Sequence, residues 1–280
     1  MKKKFCILEQ GKTINDKITL EHKAQFQTKF SDFYRLNWDK DNDPNATFFK
    51  KNITWSEGRS LLYKKTPKNY EYYVFIDDDV KFVSQNTEKG VAELIYDFLE
   101  QYKPIIATLF SNNWHNSLVR KLHPIFKKDV FPYMGQDLEI QILKEDYAKI
   151  IFPVIYHGCF GSLWYANFFC YQLYPEKQLC FSKIKIENTN RHEGLKLNQN
   201  LSKSVISKKL NEHLLKSDFP FNKYMQRTKY KNLWLYLFGN ISKQKINISL
   251  NDLSKIYDIY NSDFLNRKTL IKDGSEPKTN

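Results

Sequence analysis

Cysteine is scarce in this chain: Cys6, Cys159, Cys170 and Cys180 are the four among 280 residues. No two form a CxxC pair, and their spacing matches no zinc site. Reduced thiols in a cytosolic protein are the expectation. Long apolar runs are missing too. No stretch approaches the ~20 apolar residues of a membrane span. The run from Phe5 to Leu8, behind the basic start "MKKK", is too short for a signal-peptide core. The sequons at Asn45 and Asn52 therefore carry no weight. A glycine-rich phosphate loop is also absent. "EQGKTIND" (9–16) holds one glycine, and its "GKT" lacks the upstream glycine of a P-loop.

What is present suits a globular protein. The chain is 41% hydrophobic, 16% aromatic and 27% charged, enough for one large domain or one with a smaller companion. The mean hydropathy of −0.60 reflects abundant Lys and Asn rather than disorder. The net charge of +13 attracts nucleotides, nucleic acids and anionic lipid surfaces without choosing among them.

Patterning predicts strands at 4–10, 31–38, 72–76, 104–110 and 181–187. Helices are predicted at 54–66, with Ser56 as its N-cap and Pro67 as its stop, and at 86–103. In the latter, Val91, Leu94, Ile95, Phe98, Leu99 and Tyr102 share one face. Residues 17–30 read as a helix or an irregular polar segment, and 138–155 as a strand followed by a short helix. Residues 161–175 read as a helix apolar nearly all round. The alternation of strand and helix argues an α/β fold with a mainly parallel central sheet and flanking helices. Past Gly194 lysine becomes dense and strands disappear. The expected division is a catalytic domain at 1–195, with halves at about 1–110 and 111–195, and a mostly helical basic region at 196–280.

One stretch stands out. "NYEYYVFIDDDVKF" (69–82) runs from a buried strand straight into Asp77, Asp78 and Asp79. Residues i and i+2 of a strand share a face, so Asp77 and Asp79 project together and Asp78 points away. They lie at the carboxyl end of the strand, where open α/β sheets place ligands. Two carboxylates that close repel unless a cation intervenes, and Mg²⁺ or Mn²⁺ takes oxygen ligands of this kind. An acidic turn after a buried strand is the plain alternative.

The segment "TWSEGRSLLYKKTPKNYEYYVFIDDDVKF" (54–82) resembles the first nucleotide-binding half of the GT-A-fold glycosyltransferases, which carry an Arg-bearing helix and then a strand ending in a DxD motif. It looks like the bacterial surface-polysaccharide branch. The resemblance implies a Rossmann-like GT-A fold, Mn²⁺ or Mg²⁺ as cofactor, and a nucleotide-sugar donor, a UDP-sugar first among them. It places Asp77 and Asp79 on the metal and counts Asp77, Asp78 and Arg59 among the donor-binding residues. A late loop of such enzymes often adds a ligand. "IKIENTNRHEG" (184–194) offers Asn188 for the donor and His192 for the metal, with His157 as the competing histidine. For a catalytic base the candidates are Asp137 and, alternatively, Asp146. Trp164 and Tyr165 would stack on an acceptor sugar, unless they are core residues.

The tail "FNKYMQRTKYKNLWLYLFGN" (221–240) interleaves Lys223, Arg227, Lys229 and Lys231 with Trp234, Tyr236 and Phe238. It reads either as a packed helix with a solvated basic face or as a contact with an anionic membrane surface. The expectation is a metal-dependent transferase working in bacterial polysaccharide synthesis (lipopolysaccharide or capsule). It would be cytoplasmic, peripheral on the inner face of the membrane, and would act on a glycan or lipid-linked glycan without a nucleic-acid partner. The rivals are a nucleotidyltransferase, disfavoured by the missing glycine-rich loop, and a basic nucleic-acid- or glycan-binding module.

Overall fold

The computed structural model describes residues 3–12, 16–53, 55–84, 88–111, 117–133, 139–152, 178–189 and 236–238. In chain order the elements are β1 (Phe5–Gly11), α1 (Asp16–Phe26), β2 (Ser31–Asn37), β3 (Phe48–Phe49), α2 (Trp55–Lys65), β4 (Tyr72–Asp77) and β5 (Val80–Ser84). There follow α3 (Val91–Tyr102), β6 (Ile106–Ser111), α4 (Ser117–Phe126), β7 (Val130–Pro132), β8 (Ile140–Lys144), α5 (Glu145–Ile151) and β9 (Gln178–Asn188). Residues 236–238 form a helical turn.

The strands build one nine-stranded sheet in the order β3-β2-β1-β4-β8-β6-β9-β5, with β7 on β9. β1 to β4 are parallel neighbours, and β6 and β9 are parallel to each other. β8 is antiparallel to both β4 and β6, while β5 and β7 run against β9. The sheet is thus mainly parallel with reversed strands set into one half.

β4 is an interior strand covered by a core on each face, so its sequence has no polar alternation. Tyr73 and Phe75 enter a core with Leu62, Tyr63, Tyr147 and Ile151, from α2 and α5. Tyr72, Val74 and Ile76 enter the opposite core, with Phe26 of α1 and Ile95 and Phe98 of α3. Helix α3 ends at a left-handed Lys103, whose backbone N–H returns to the Leu99 carbonyl, with Pro104 next. Cys6 and Cys180 are free and buried, and burial pushes both thiols well up.

Several details depart from the sequence reading. Helix α2 begins at Trp55, so Ser56 sits inside its first turn rather than at the cap. Strands β3, β5 and β7 and helix α4 have no counterpart among the predicted elements. The described turn of the C-terminal region does not stand apart. Tyr236 is buried with Phe110, Val119, Phe131, Tyr133 and Cys180, and Lys128 Nζ donates to the Leu237 carbonyl at 3.0 Å. For the described part of the tail, packing is what the structure shows. Residues 161–175 and the rest of 196–280 lie outside the described residues.

A buried polar network ties the first two strands to the turn after β4. Glu9 accepts from Thr19 Oγ1 at 2.7 Å and pairs with His22 Nδ1 and with Arg35 Nε at 3.1 Å. Arg35 also pairs with Asp43 at 2.8 Å and donates to the Lys12 carbonyl at 2.8 Å. His22 Nε2 lies 2.6 Å from the Val80 carbonyl, immediately past the aspartates. Glu9 and Arg35 are wholly buried, so neither charge is tolerable without its partners. Glu9→Ala therefore costs about 3–5 kcal/mol, read by chemical denaturation, and a loss under about 1 kcal/mol would show the network to be well hydrated.

Candidate functional site

The site lies where β4 ends. Gly11 closes β1 beside the aspartate turn, and a Cβ there would collide with the Asp78 carboxylate, so a side chain is excluded. Asp78 is buried, and its Oδ2 accepts the Lys12 backbone N–H at 2.7 Å. The middle aspartate thus points away from its neighbours and fastens the end of β1 to the turn.

Asp77 is held from α2. Arg59 Nη2 donates to Asp77 Oδ1 at 2.9 Å, Trp55 Nε1 donates to the same oxygen at 3.0 Å, and the guanidinium lies 4.1 Å from the Trp55 ring centroid. Helix α2 lies close to β1 at Gly58, where a Cβ would push aside the end of the Gln10 side chain. Arg59 is fully buried and also donates to Gln141 Oε1 at 3.2 Å. It therefore orients Asp77. Burial raises the Asp77 carboxyl above the usual carboxylate range, against the pull of Arg59 and Trp55.

No cation among the described residues pairs with Asp79. Its carbonyl accepts from Thr189 N at 2.9 Å and Thr189 Oγ1 at 3.0 Å, which pins the turn to the end of β9. Its Oδ1 is buried and has no hydrogen-bond partner among the described residues. Burial first, then the charges of Asp77 and Glu139, push its carboxyl up to about 6. The strand register explains why Glu139 and Asn188 are present. β8 runs against β4 with Ile76 opposite Ile140, so Glu139 falls beside Asp77, whose N–H it accepts at 3.2 Å. β9 runs against β5 with Val80 opposite Asn188. Asn188 Nδ2 donates to Glu139 Oε1 at 3.1 Å and its side chain also favours the charged form of Asp79.

The structure thus brings Asp77, Asp79, Arg59 and Asn188 to one place, with Asp78 beside them. Glu139, Trp55 and Gln141 belong with them and were missed by sequence reasoning. Their one available signal was position: Glu139 opens a strand, and Trp55 lies one helical turn before Arg59. Asp146 is not brought there. It follows β8, whose Lys144 pairs with Tyr72, the first residue of β4, so Asp146 lies exposed at the opposite end of β4 from Asp77. Asp137, His157, Trp164, Tyr165 and His192 lie outside the described residues. A cation fits the oxygen-only pair Asp77 and Asp79, since the buried Asp79 Oδ1 needs a positive partner. Among the described residues no three His, Cys, Asp or Glu side chains form a complete ligand set.

No family model matches the chain, and no match to it was found among curated proteins. Solved structures do resemble it. TarS of S. aureus is 13% identical, with a TM-score of 0.51 over 89% of this chain; the chain spans 46% of TarS. Mannosyl-3-phosphoglycerate synthase from Rubrobacter xylanophilus is 10% identical, with a TM-score of 0.43 over 78% of this chain and 76% of that one. A glycosyltransferase involved in glycosylation of the major capsid of PBCV-1 is 16% identical, with a TM-score of 0.32 over 52% of this chain and 63% of that one. The likeness to TarS shows the fold: the chain has a GT-A-like, Rossmann-like architecture.

The raised Asp79 carboxyl gives a pH prediction. An unfolded Asp titrates near 3.9, so the native state holds this proton more tightly. Without a cation, stability from this group is full below pH ~4 and falls as pH rises through about 6. Asp79→Asn removes that loss. In EDTA at pH 7.5 it is more stable than wild type by about 1–2 kcal/mol, a figure reduced for the partial exposure of the group. Parallel unfolding free energies across pH 4–8 for the two proteins would contradict the reading.

Proposed function

We propose that this chain is a metal-dependent glycosyltransferase that moves a sugar from a nucleotide-sugar donor, a UDP-sugar first among them, to a glycan acceptor in bacterial surface-polysaccharide synthesis. The observation that carries the proposal is the unequal treatment of two adjacent carboxylates at the carboxyl end of β4. Asp77 is paired with Arg59, and Asp79 keeps a buried oxygen with no partner among the described residues. Open α/β sheets bind ligands at this end.

In this reading Asp77 and Asp79 hold Mn²⁺ or Mg²⁺, with His192 as a further ligand from the loop after β9. A cation bound there supplies positive charge for the diphosphate that leaves. Arg59 and Trp55 fix the Asp77 carboxylate so that it need not reorganise when ligand binds. Asp78 keeps the end of β1 against the turn, which shapes the floor of the donor site. Asn188 orients Glu139 and stabilises the ionised Asp79. Asp137 is the proposed base for the acceptor hydroxyl, and Trp164 and Tyr165 the proposed acceptor platform. A nucleotidyltransferase would use paired aspartates similarly, but a single glycine at the end of β1 does not suit it.

The test is a screen of sugar nucleotides for hydrolysis and transfer, with and without Mn²⁺. One or a few donors release nucleoside diphosphate in a metal-dependent way, and Asp79→Ala lowers kcat/KM at least about a thousandfold, on the scale of a lost charge-stabilising group. Activity of Asp79→Ala close to wild type would remove the aspartate assignment. Release of pyrophosphate from a nucleoside triphosphate and sugar phosphate would select the nucleotidyltransferase instead.

A further inference from the structure

We propose that the exposed apolar patch formed by Ile125, Phe126 and Phe238 docks this chain onto an anionic membrane surface. The patch is far from random exposure. Ile125 is 71%, Phe126 50% and Phe238 68% exposed, three of the five large apolar side chains so exposed among the described residues. They come from two distant parts of the sequence joined by one anchor. Tyr236 is buried under α4, its ring 6.2 Å from that of Phe126, 4.7 Å from Phe131 and 6.0 Å from His123, whose Nδ1 lies 3.2 Å from the Tyr236 hydroxyl. Phe238 is in the same helical turn as Tyr236. The fold therefore fixes an apolar residue of the tail beside the end of α4.

The charge around the patch selects the partner. Arg120, Lys121 and Lys127 are exposed next to it, and α4 contains no acidic residue. The nearest acid in sequence, Asp129, is bridged to Lys183 at 3.1 Å. Helix α4 turns Val119 and His123 inward and Leu122 partly so, leaving Arg120, Lys121, Ile125 and Phe126 outward. Rings and branched chains that enter the interface, flanked by cations that meet anionic headgroups, are the chemistry of an interfacial contact. A nucleic acid would use the cations and aromatic faces but gains little from Ile125. A second copy of the chain would bring the same positive charge against itself.

The inference does not depend on the donor chemistry, and its test uses the full chain without any sugar nucleotide. Wild-type protein is floated with vesicles of phosphatidylglycerol and phosphatidylcholine in equal parts, and with pure phosphatidylcholine. It binds the acidic vesicles at low salt, binds the neutral ones at least about tenfold more weakly, and loses most binding at about 1 M salt, where charges are screened within about 3 Å. The double variant Ile125→Ser with Phe238→Ser, and separately Lys121→Gln with Lys127→Gln, each lower binding at least about tenfold with an unchanged melting temperature. Should the apolar double variant fail to fold, Ile125→Ser alone decides by the same threshold, since it is the most exposed of the three. Wild type that ignores acidic vesicles at low salt overturns the proposal, as do variants that bind like wild type. A wild-type dimer that Ile125→Ser dissociates, with no vesicle binding, overturns it in favour of self-association. Capture of a single-stranded oligonucleotide without vesicle binding overturns it in favour of nucleic acid.

Discussion

The ion pair between Arg59 and Asp77 is the constraint around which the carboxyl edge of the sheet is organised. A carboxylate at the end of a strand buried on both faces has lost much of its water, and Arg59, fully buried itself, is its counter-charge. That requirement reaches into the packing. The guanidinium comes from a helix close against β1, where a Cβ at position 58 would displace the end of the Gln10 side chain. It needs a flat partner, which Trp55 provides, and a second acceptor, which Gln141 provides from the next strand. Removing one member would leave the rest buried and uncompensated, a costlier state than replacing all of them with apolar side chains.

Against that background Asp79 is the exception. It shares the turn and the low-dielectric surroundings, it faces Asp77 and Glu139, and no described cation meets it. A site that pairs one carboxylate with a buried arginine and leaves its neighbour facing two acids favours added positive charge. The long strand β9 serves this arrangement. Its first half pairs with β6, a register shift follows, and its second half carries Asn188 and Thr189 back to the aspartate turn. Residues more than a hundred positions apart in sequence are thereby fixed on the same few atoms. The Glu9–His22–Arg35 network supports the turn from the other side, through the Val80 carbonyl.

Much of the local structure was legible in the sequence, because local physics decides it. The unbroken apolar run of β4, the i, i+3, i+4 pattern of α3 and the Pro67 stop after α2 each led to an element at nearly the right place. The aspartates were legible because carboxylates after such a strand conflict with burial. What escaped depends on non-local pairing. Nothing in "LEIQILK" states that β8 runs antiparallel between two strands of the opposite sense, yet that reversal sets Glu139 beside Asp77 and sends Asp146 to the far end of β4. The sequence put Arg59 on the helix before the aspartates, but its burial against Asp77 follows from how tightly α2 packs. The tail read as basic and aromatic; that Tyr236 closes a core with α4 and β7 could not be seen without the fold.

The central claim is that Asp79 is left for a cation while Asp77 is already compensated. The most direct measurement is Mn²⁺ binding by calorimetry at pH 7.5, comparing wild type with Asp79→Asn and Asp78→Asn in the absence of any nucleotide. The account predicts that Asp79→Asn weakens Mn²⁺ at least about tenfold while melting no lower than wild type in EDTA, and that Asp78→Asn, which loses a carboxylate committed to Lys12, changes affinity less than about threefold. Equal affinities for wild type and Asp79→Asn, or a larger loss in Asp78→Asn, would contradict it.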